Sequence, residues 1–206
     1  MRPIIMFNRV SADGYFARPE GDSHADLSWV VPEEQIDKAG AAASSAVDTI
    51  LFGRKTYDMF ESFWPHAIEV AKAGGEIENP HGPVRASSEM RAMAEMINAA
   101  KKIVYSRTRK SVTWNNSQLR ATFDPQEIRE YKKAPGKGII IFGSGSIVSL
   151  LAQHDLIDEY QIVVSPLLLG SGESFVRGVA KTTGLTLVEA KGYPSGNVML
   201  RYSRKG

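Results

Sequence analysis

The feature that most constrains the fold is a run of four apolar residues, at positions 139–142, that leads directly into a glycine-rich segment. A strand without polar positions has no face to turn toward water, so it is typical of the buried interior of a parallel sheet. Parallel strands need crossover connections, which are usually helices lying on the faces of the sheet. The run therefore predicts a parallel sheet that is covered by helices.

The rest of the chain alternates between strand and helix patterns. Strands are predicted at residues 4–10, 49–52, 102–105, 139–142 and 159–165, with a closing hairpin at 185–190 and 198–203. Helices are predicted at 32–45, 54–63, 88–100 and 146–154, and a further helix opens at 124–127. Glycine and proline predict a loop at 74–85. This order predicts a single α/β domain over residues 1–206, with a mainly parallel sheet, helices on its faces and an antiparallel C-terminal edge.

Composition excludes several classes of protein. The chain has 206 residues, a net charge of +2 and no cysteine, which excludes disulfides, a thiolate nucleophile and cysteine-ligated metals. The small net charge argues against nucleic acid or a membrane surface as the main partner. Because no apolar run approaches the ~20 residues of a membrane helix, and the short apolar start predicts a strand, we expect a soluble cytoplasmic protein. The four histidines lack metal-ligand spacing, and we expect no metal site.

Three predicted strands end in segments that suit anions. Residues 142–147 (Phe-Gly-Ser-Gly-Ser-Ile) place bare backbone at a helix start, where a phosphate is favoured. Residues 53–57 (Gly-Arg-Lys-Thr-Tyr) put two cations where the helix dipole disfavours them, and residues 105–109 (Tyr-Ser-Arg-Thr-Arg) combine hydroxyls with arginines. Each segment alone is also compatible with an ordinary polar turn. Since the carboxyl ends of parallel strands share one sheet edge, the three together indicate an extended ligand with several phosphates.

These three segments, in this order and approximate spacing, resemble the cofactor-binding segments of dihydrofolate reductase. Residues 10–15 (Val-Ser-Ala-Asp-Gly-Tyr) resemble the N-terminal signature of a related domain, the reductase domain of bifunctional riboflavin-biosynthesis deaminase/reductase proteins. Residues 158–172 resemble the late strand and loop of that domain. The resemblance covers essentially the whole chain. It implies a dihydrofolate-reductase-like three-layer fold, with a mixed sheet of about eight mostly parallel strands, and NADPH as the cofactor.

The resemblance also implies roles for individual residues. Carried over, Ser106 and Arg107, together with Arg54, would surround the ribose 2′-phosphate of the cofactor. The other implied cofactor contacts are Val10, Gly53, Lys55 and Thr56, followed by Gly143, Ser144, Gly145, Ser146 and Ile147. Many dihydrofolate reductases carry an arginine after the glycine run, where this chain has Ser146.

The substrate side is less sharply specified. The stretch from Trp29 to Glu34 resembles the Trp-x-x-Pro-x-acid stretch of bacterial dihydrofolate reductase, which makes Glu34 a candidate proton relay. An acid in the first turn of a helix is equally explained by the helix dipole. Asp13 resembles the riboflavin-type signature near the nicotinamide and is a second catalytic candidate, although Asp-Gly is also a common turn. Tyr57 and Phe60 follow the cofactor segment and, with Trp29, are candidates for the wall of a planar substrate site, with core packing as the alternative.

These observations predict an NADPH-dependent reductase that transfers hydride to a C=N or C=O carbon of a small heterocyclic or carbonyl substrate. The substrate stays open between a pyrimidine ribosylamine, as in 5-amino-6-(5-phosphoribosylamino)uracil reductase, a folate or pteridine, and an unrelated compound. The alternative is a non-catalytic nucleotide-binding module, such as a redox sensor or a ligand-sequestering resistance protein. The apolar late strands and Leu167-Leu168-Leu169 predict a homodimer, because riboflavin-type relatives pair through this part of the fold.

Overall fold

The computed structural model describes residues 1–19, 27–73, 76–79, 82–85 and 87–205. Its strands are β1 (Ile4–Ser11), β2 (Val47–Gly53), β3 (Glu76–Asn79), β4 (Gly82–Arg85), β5 (Lys101–Tyr105), β6 (Ser117–Arg120), β7 (Gly138–Phe142), β8 (Glu159–Ser165), β9 (Leu185–Gly192) and β10 (Val198–Arg204). Its helices are α1 (Glu34–Ala43), α2 (Arg54–Ala73), α3 (Ser88–Ala99), α4 (Pro125–Lys133) and α5 (Gly145–Gln153), and a short 3-10 helix spans Ser44–Ala46.

Eight strands form one sheet in the order β6-β5-β2-β7-β1-β8-β10-β9. All pairings from β6 to β8 are parallel, whereas β10 runs antiparallel to β8 and β9 antiparallel to β10. The apolar strand β7 lies between β2 and β1, with Phe142 opposite Phe7 and Ile141 opposite Leu51. The predicted fold class, including the antiparallel C-terminal edge, is confirmed.

Two apolar clusters sandwich the sheet because successive side chains of a strand point to opposite faces. On one face, α4 and α5 cover Ile139 and Ile141 with residues such as Val148, and all three are fully buried. On the other face, α2 and α3 cover Phe52 and Ile50. Helix α3 buries Met90, Ala94 and Ile97, as the i, i+4, i+7 spacing of its apolar residues requires. Fully burying each large aliphatic side chain contributes roughly 1.5–3 kcal/mol, so this layering fixes the strand ends in place.

The structure differs from the sequence prediction in its strands and in one helix. Strand β6 (Ser117–Arg120), at one edge of the main sheet, was not assigned from the sequence. Residues 74–85, predicted as a loop, contain the antiparallel pair β3 and β4, in which Ile77 lies opposite Val84. These strands have four residues each and pair outside the main sheet, so their alternation is too short to stand out against the surrounding glycine and proline. Helix α2, predicted to end at residue 63, continues through Pro65 to Ala73, because one proline removes only one helical hydrogen bond.

The described residues contain no helix that is long and apolar enough to cross a membrane. Across the same ranges there is also no group of three or more histidine or acidic side chains arranged to hold a metal ion. His24 and His81 lie outside the described residues.

Candidate cofactor and substrate site

The carboxyl ends of β1, β2, β5 and β7 open into one cavity of about 1260 Å³. Eleven of the twelve predicted cofactor residues line it: Gly53, Arg54, Lys55, Thr56, Ser106, Arg107, Gly143, Ser144, Gly145, Ser146 and Ile147. The parallel order of the strands explains this convergence, since each segment follows a strand that ends at the same edge. The twelfth residue, Val10, is buried in β1 and lies outside the cavity lining.

The turn between β7 and α5 leaves the start of α5 free of a side-chain cap. Gly143 and Ser144 both adopt left-handed backbone conformations, with φ of 55° and 56°, and α5 begins at the next residue. The Ser144 hydroxyl does not cap the helix; it accepts a 2.9 Å hydrogen bond from the N–H of Gly53. This bond joins the β7–α5 turn to the β2–α2 turn. The first backbone N–H groups of α5 therefore remain available at the positive end of the helix dipole, where an anion is favoured.

A side chain would be crowded at Gly145 and would just reach van der Waals contact at Gly53. A Cβ at Gly145 would lie 3.0 Å from the Phe16 ring and 3.3 Å from the carbonyl oxygen of Ser174. A Cβ at Gly53 would lie 3.4 Å from the hydroxyl oxygen of Ser146. Bare backbone thus forms this part of the cavity wall, so a ligand can approach the chain closely.

The turn after β5 separates two arginines that look equivalent in the sequence. The Ser106 hydroxyl accepts hydrogen bonds from the N–H groups of Thr108, at 3.2 Å, and Arg109, at 2.9 Å, and so holds the turn together. Arg109 points back onto α2, where it pairs with Asp58 and with Glu61. Arg107 lines the cavity, is exposed, and forms no ion pair with the residues that the structure describes. Arg107 is therefore the arginine of this segment that can meet an anion.

Aromatic rings form the wall between the sheet and α2. The ring of Phe142 lies 6.1 Å from that of Phe7 and 5.6 Å from that of Phe60, the latter stacked at 28°. All three line the cavity. Phe60 was predicted from the sequence as a wall residue, whereas Phe7 was not, and Phe142 was predicted only as part of the anion-binding segment. The register of β1 with β7 places Phe7 and Phe142 opposite each other.

Two further lining residues, Asn8 and Arg9, were also missed. Asn8 is only 3% exposed, and its side-chain Nδ2 has no hydrogen-bond acceptor among the described residues. The Nη1 atom of Arg9 is likewise buried without an acceptor in the described part of the chain. The available signal was two adjacent polar side chains inside a mostly apolar strand, because burying a polar group without a partner costs free energy.

The remaining substrate and catalytic candidates lie elsewhere. Glu34 is 76% exposed, forms a 2.5 Å ion pair with Lys38 and does not line the cavity. It therefore lacks the buried setting that a proton relay with a raised pKa requires. Trp29 and Tyr57 are buried outside the cavity lining, and Tyr57 packs against Phe52 in the core. These positions agree with the alternatives given above: Glu34 lies at a helix start, and Tyr57 packs in the core.

Asp13 connects two loops at the rim of the cavity. Its carboxylate accepts hydrogen bonds from the Ser11 hydroxyl at 2.5 Å and from the N–H groups of Leu169 and Gly170 at 3.1 Å and 2.7 Å. These donors, led by the Ser11 hydroxyl, lower the pKa of Asp13 below its ordinary value. Asp13 does not line the cavity, so its contacts are those of a residue that positions loops.

Sequence comparison decides the family. The profile of the RibD C-terminal domain matches residues 2–199. The chain belongs to the RibD C-terminal domain family. The resemblance to the riboflavin-type reductase domain, drawn from the sequence motifs, is thereby confirmed. Two Bacillus subtilis (strain 168) proteins are similar to this RibD-family chain over nearly their whole lengths: YyaP, 25% identical over 100% of this chain and 96% of that protein, and YwjB, 23% identical over 98% of each.

Solved structures show the same fold at low sequence identity. A Shewanella sp. PV-4 protein assigned to riboflavin biosynthesis has a TM-score of 0.70 at 22% identity, with 99% of each chain covered. A pyrimidine reductase-like protein from Corynebacterium diphtheriae has a TM-score of 0.59 at 14% identity, covering 100% of this chain and 92% of that one. Acinetobacter baumannii RibD has a TM-score of 0.62 at 13% identity, and this chain spans 59% of its length.

Proposed function

We propose that this RibD-family chain is an NADPH-dependent reductase of a small planar substrate. The observation that carries the proposal is the convergence of three anion-suited strand ends on one cavity, together with the aromatic wall beside them. Membership of the RibD C-terminal domain family and the name of the pyrimidine reductase-like neighbour support a reductase. A site for phosphates next to a flat apolar wall suits a dinucleotide that must place a nicotinamide against a substrate ring.

The residues present fit NADPH. The uncapped start of α5 and the glycine cradle at Gly143 and Gly145 supply backbone N–H groups for the pyrophosphate. Arg54 and Arg107, with the hydroxyl groups of the β5 turn, supply the donors that a ribose 2′-phosphate needs. Within the described part of the chain, Arg54 is held by an exposed 3.3 Å pair with Asp58, so it can turn toward an anion at modest cost. When bound, NADPH would supply two electrons and a hydrogen to the substrate.

The adenine side of the cavity has an unpaired donor of its own. Tyr105 ends β5, lines the cavity and has a buried hydroxyl without a partner among the described residues. Burial raises the pKa of Tyr105, so this hydroxyl stays protonated and can donate. Its ring lies 5.6 Å from that of Phe123, another lining residue. An aromatic pair with one free hydroxyl suits a purine ring.

The chain's own residues bind and orient, and do little acid–base chemistry. Two carboxylates are found among the described lining residues, Asp58 and Glu173. Asp58 pairs with Arg54 and Arg109, and Glu173 pairs with Arg177 at 3.0 Å. Both are paired with arginines, so among the described lining residues neither carboxylate is placed as a proton donor. The aromatic wall excludes water from the face where the substrate lies.

Two measurements on the purified protein test this function. Titration of NADPH and NADH by calorimetry gives the cofactor affinities, and loss of nicotinamide absorbance reports turnover with candidate substrates. We expect tight NADPH binding, and oxidation of NADPH when a substrate of the right class is added. Dihydrofolate and the pyrimidine ribosylamine intermediate are the first two candidates. If NADPH does not bind, the proposal is wrong; if it binds but the bound form never turns over with any carbonyl or imine substrate, the chain is a binding module.

A further inference from the structure

The substrate side of the cavity combines three aromatic rings with one arginine. We call Phe7, Arg9, Phe60 and Phe142 the aromatic compartment; all four line the cavity. Phe7 and Arg9 are two positions apart on β1, so their side chains lie on the same face of the sheet. Phe142 stands between Phe7 and Phe60, with ring separations of 6.1 and 5.6 Å. Arg9 is the only charged or polar side chain of the four.

The guanidinium of Arg9 has one donor that is not used by the described residues. Its Nη2 atom pairs with Asp37 of α1 at 3.2 Å, and the Asp37 side chain is 55% exposed. Its Nη1 atom is buried and has no acceptor among the residues that the structure describes. The whole side chain is 19% exposed, and burial lowers the pKa of Arg9 whereas Asp37 raises it. A cation that is largely removed from water and paired at one end only is under-satisfied, and an oxygen from a ligand would relieve it.

We infer that Arg9 binds an anionic oxygen of a planar aromatic substrate that lies in the aromatic compartment, a carboxylate or an acidic ring oxygen. This inference rests on the proposed function, because it assigns the substrate class of the same site. Three rings at these separations provide faces and edges for stacking a flat molecule. The guanidinium fork matches two oxygens in a plane, or one oxygen and a ring nitrogen.

The same geometry disfavours a sugar phosphate at this position. A phosphate monoester carries close to two negative charges and three acceptor oxygens. The aromatic compartment offers one guanidinium, already partly neutralised by Asp37, and three phenyl rings that donate nothing. A substrate with a single charge spread over a flat group satisfies the arginine without leaving phosphate oxygens unpaired.

Binding of 2-naphthoate, a flat aromatic carboxylate, tests the inference by calorimetry on the full chain. We expect it to bind the wild-type protein and to bind Arg9→Met about ten- to a hundredfold more weakly, the loss typical of a charge-assisted hydrogen bond. Arg91→Met is the matched control, because Arg91 lies on α3, outside the cavity lining, in an exposed pair with Glu95; it should bind as the wild type does. With NADPH already saturating the phosphate sites of the cavity, ribose 5-phosphate should bind at least about tenfold more weakly than 2-naphthoate.

Asp37→Asn should change 2-naphthoate affinity in the direction opposite to Arg9→Met. This change is not expected if Arg9 is merely structural. Removing the competing carboxylate should tighten 2-naphthoate binding by about two- to tenfold, and this holds even if an Arg9 variant fails to fold. NADPH affinity, measured on the same samples, distinguishes a failure of the inference about Arg9 from a failure of the proposed function. The inference alone is wrong if the wild-type protein binds NADPH but does not bind 2-naphthoate. It is also wrong if Arg9→Met binds 2-naphthoate as tightly as the wild type does, or if ribose 5-phosphate binds more tightly than 2-naphthoate. Loss of NADPH binding in the wild type overturns the proposed function itself.

Discussion

The carboxylate of Asp13 accepts a 2.7 Å hydrogen bond from the backbone N–H of Gly170, a residue 157 positions further along the chain. The neighbouring backbone bond from Ala12 N–H to the Leu167 carbonyl, at 2.8 Å, closes the same junction. Together they tie the loop after β1 to the loop after β8. Just beyond the junction, Phe16 and Glu173 hydrogen-bond through their backbones and both line the cavity. Asp13 therefore shapes the rim of the site from outside it.

Asp13→Asn should loosen this junction. An amide carries no charge and has one acceptor oxygen in place of two, so the N–H groups of Leu169 and Gly170 donate to a weaker acceptor. We expect hydrogen exchange at these two amides to become at least about tenfold faster, as local opening becomes easier. Glu95→Gln, an exposed change on α3, is the control and should leave exchange in the loop unchanged.

The junction should also depend on pH in a defined direction. Because the folded-state pKa of Asp13 is lowered, its contribution is present above the ordinary value of 3.8 and is lost as pH falls below it. Loop protection in the wild type should be flat at neutral pH and should fall only in the acid range, whereas Asp13→Asn should show no such step. Equal protection in both proteins at neutral pH would show that the carboxylate does not hold the loop.

Gly172→Ala should disrupt the same region by steric overlap. A Cβ at Gly172 would overlap the carbonyl oxygen of Ala17, which is backbone and cannot rotate away. We expect a loss of about 1–3 kcal/mol in the free energy of unfolding, as for other overpacked sites. Gly40→Ala is the matched control: nothing lies within 4 Å of its Cβ position in α1, and the change should stabilise the helix by up to about 1 kcal/mol. Denaturant unfolding of both variants measures the difference, and similar stabilities would contradict the expected overlap.

A site residue could be predicted from the sequence when its local segment indicates its role, and could not when tertiary contacts determine that role. Strand ends with glycine and cations carry local signals, and parallel pairing then brings them to one edge; this is why Gly53, Ser106 and Gly143 were found. The left-handed conformation of Ser144 and its bond to Gly53 are tertiary features that no local pattern specifies. The same holds for the choice between Arg107 and Arg109, which depends on two acids of α2.

The substrate side was predicted less well because its residues come from the middle of strands. Phe7 and Arg9 lie on a strand that reads mostly as core, and only its register with β7 and its neighbour α1 make them cavity residues. The catalytic role of Glu34 stays a prediction, and the structure places this residue at an exposed helix start. Its charge satisfies the start of α1, where Glu33 is the N-cap and accepts a hydrogen bond from Gln35 N–H at 3.1 Å. Helix-start chemistry and a catalytic acid use the same residue type.

Arg107→Ala and Arg54→Ala should weaken NADPH binding much more than NADH binding. Both residues line the cavity beside the β5 turn, where the 2′-phosphate is expected. Losing one charge-assisted contact should cost about 1.5–3 kcal/mol, or about ten- to a hundredfold in affinity. Calorimetric titration of each cofactor measures this, with Arg91→Ala as the control on α3. Equal losses for NADPH and NADH would show that these arginines do not read the 2′-phosphate.

The homodimer stays a prediction, and the exposed outer strand of the sheet is the surface through which we propose that it forms. Strand β9 is the last strand of the sheet, and its Leu187 and Val188 are each 54% exposed. Leu168 in the loop after β8 is exposed too. Exposed apolar groups at a free sheet edge favour association with another chain. Light scattering at micromolar concentration should give about twice the chain mass of 22.6 kDa, and Leu187→Lys should shift it toward the monomer; a wild-type mass near 22.6 kDa would contradict the dimer.

Thermal unfolding with and without NADPH tests the central claim most directly. A ligand that binds only the folded state stabilises it by RT ln(1 + [L]/Kd), about 2.7 kcal/mol at a hundredfold excess over Kd. We expect the melting temperature to rise with NADPH concentration, to rise less with NADH, and to respond less to NADPH in Arg107→Ala. No rise at saturating NADPH would contradict the assignment of this cavity to the cofactor.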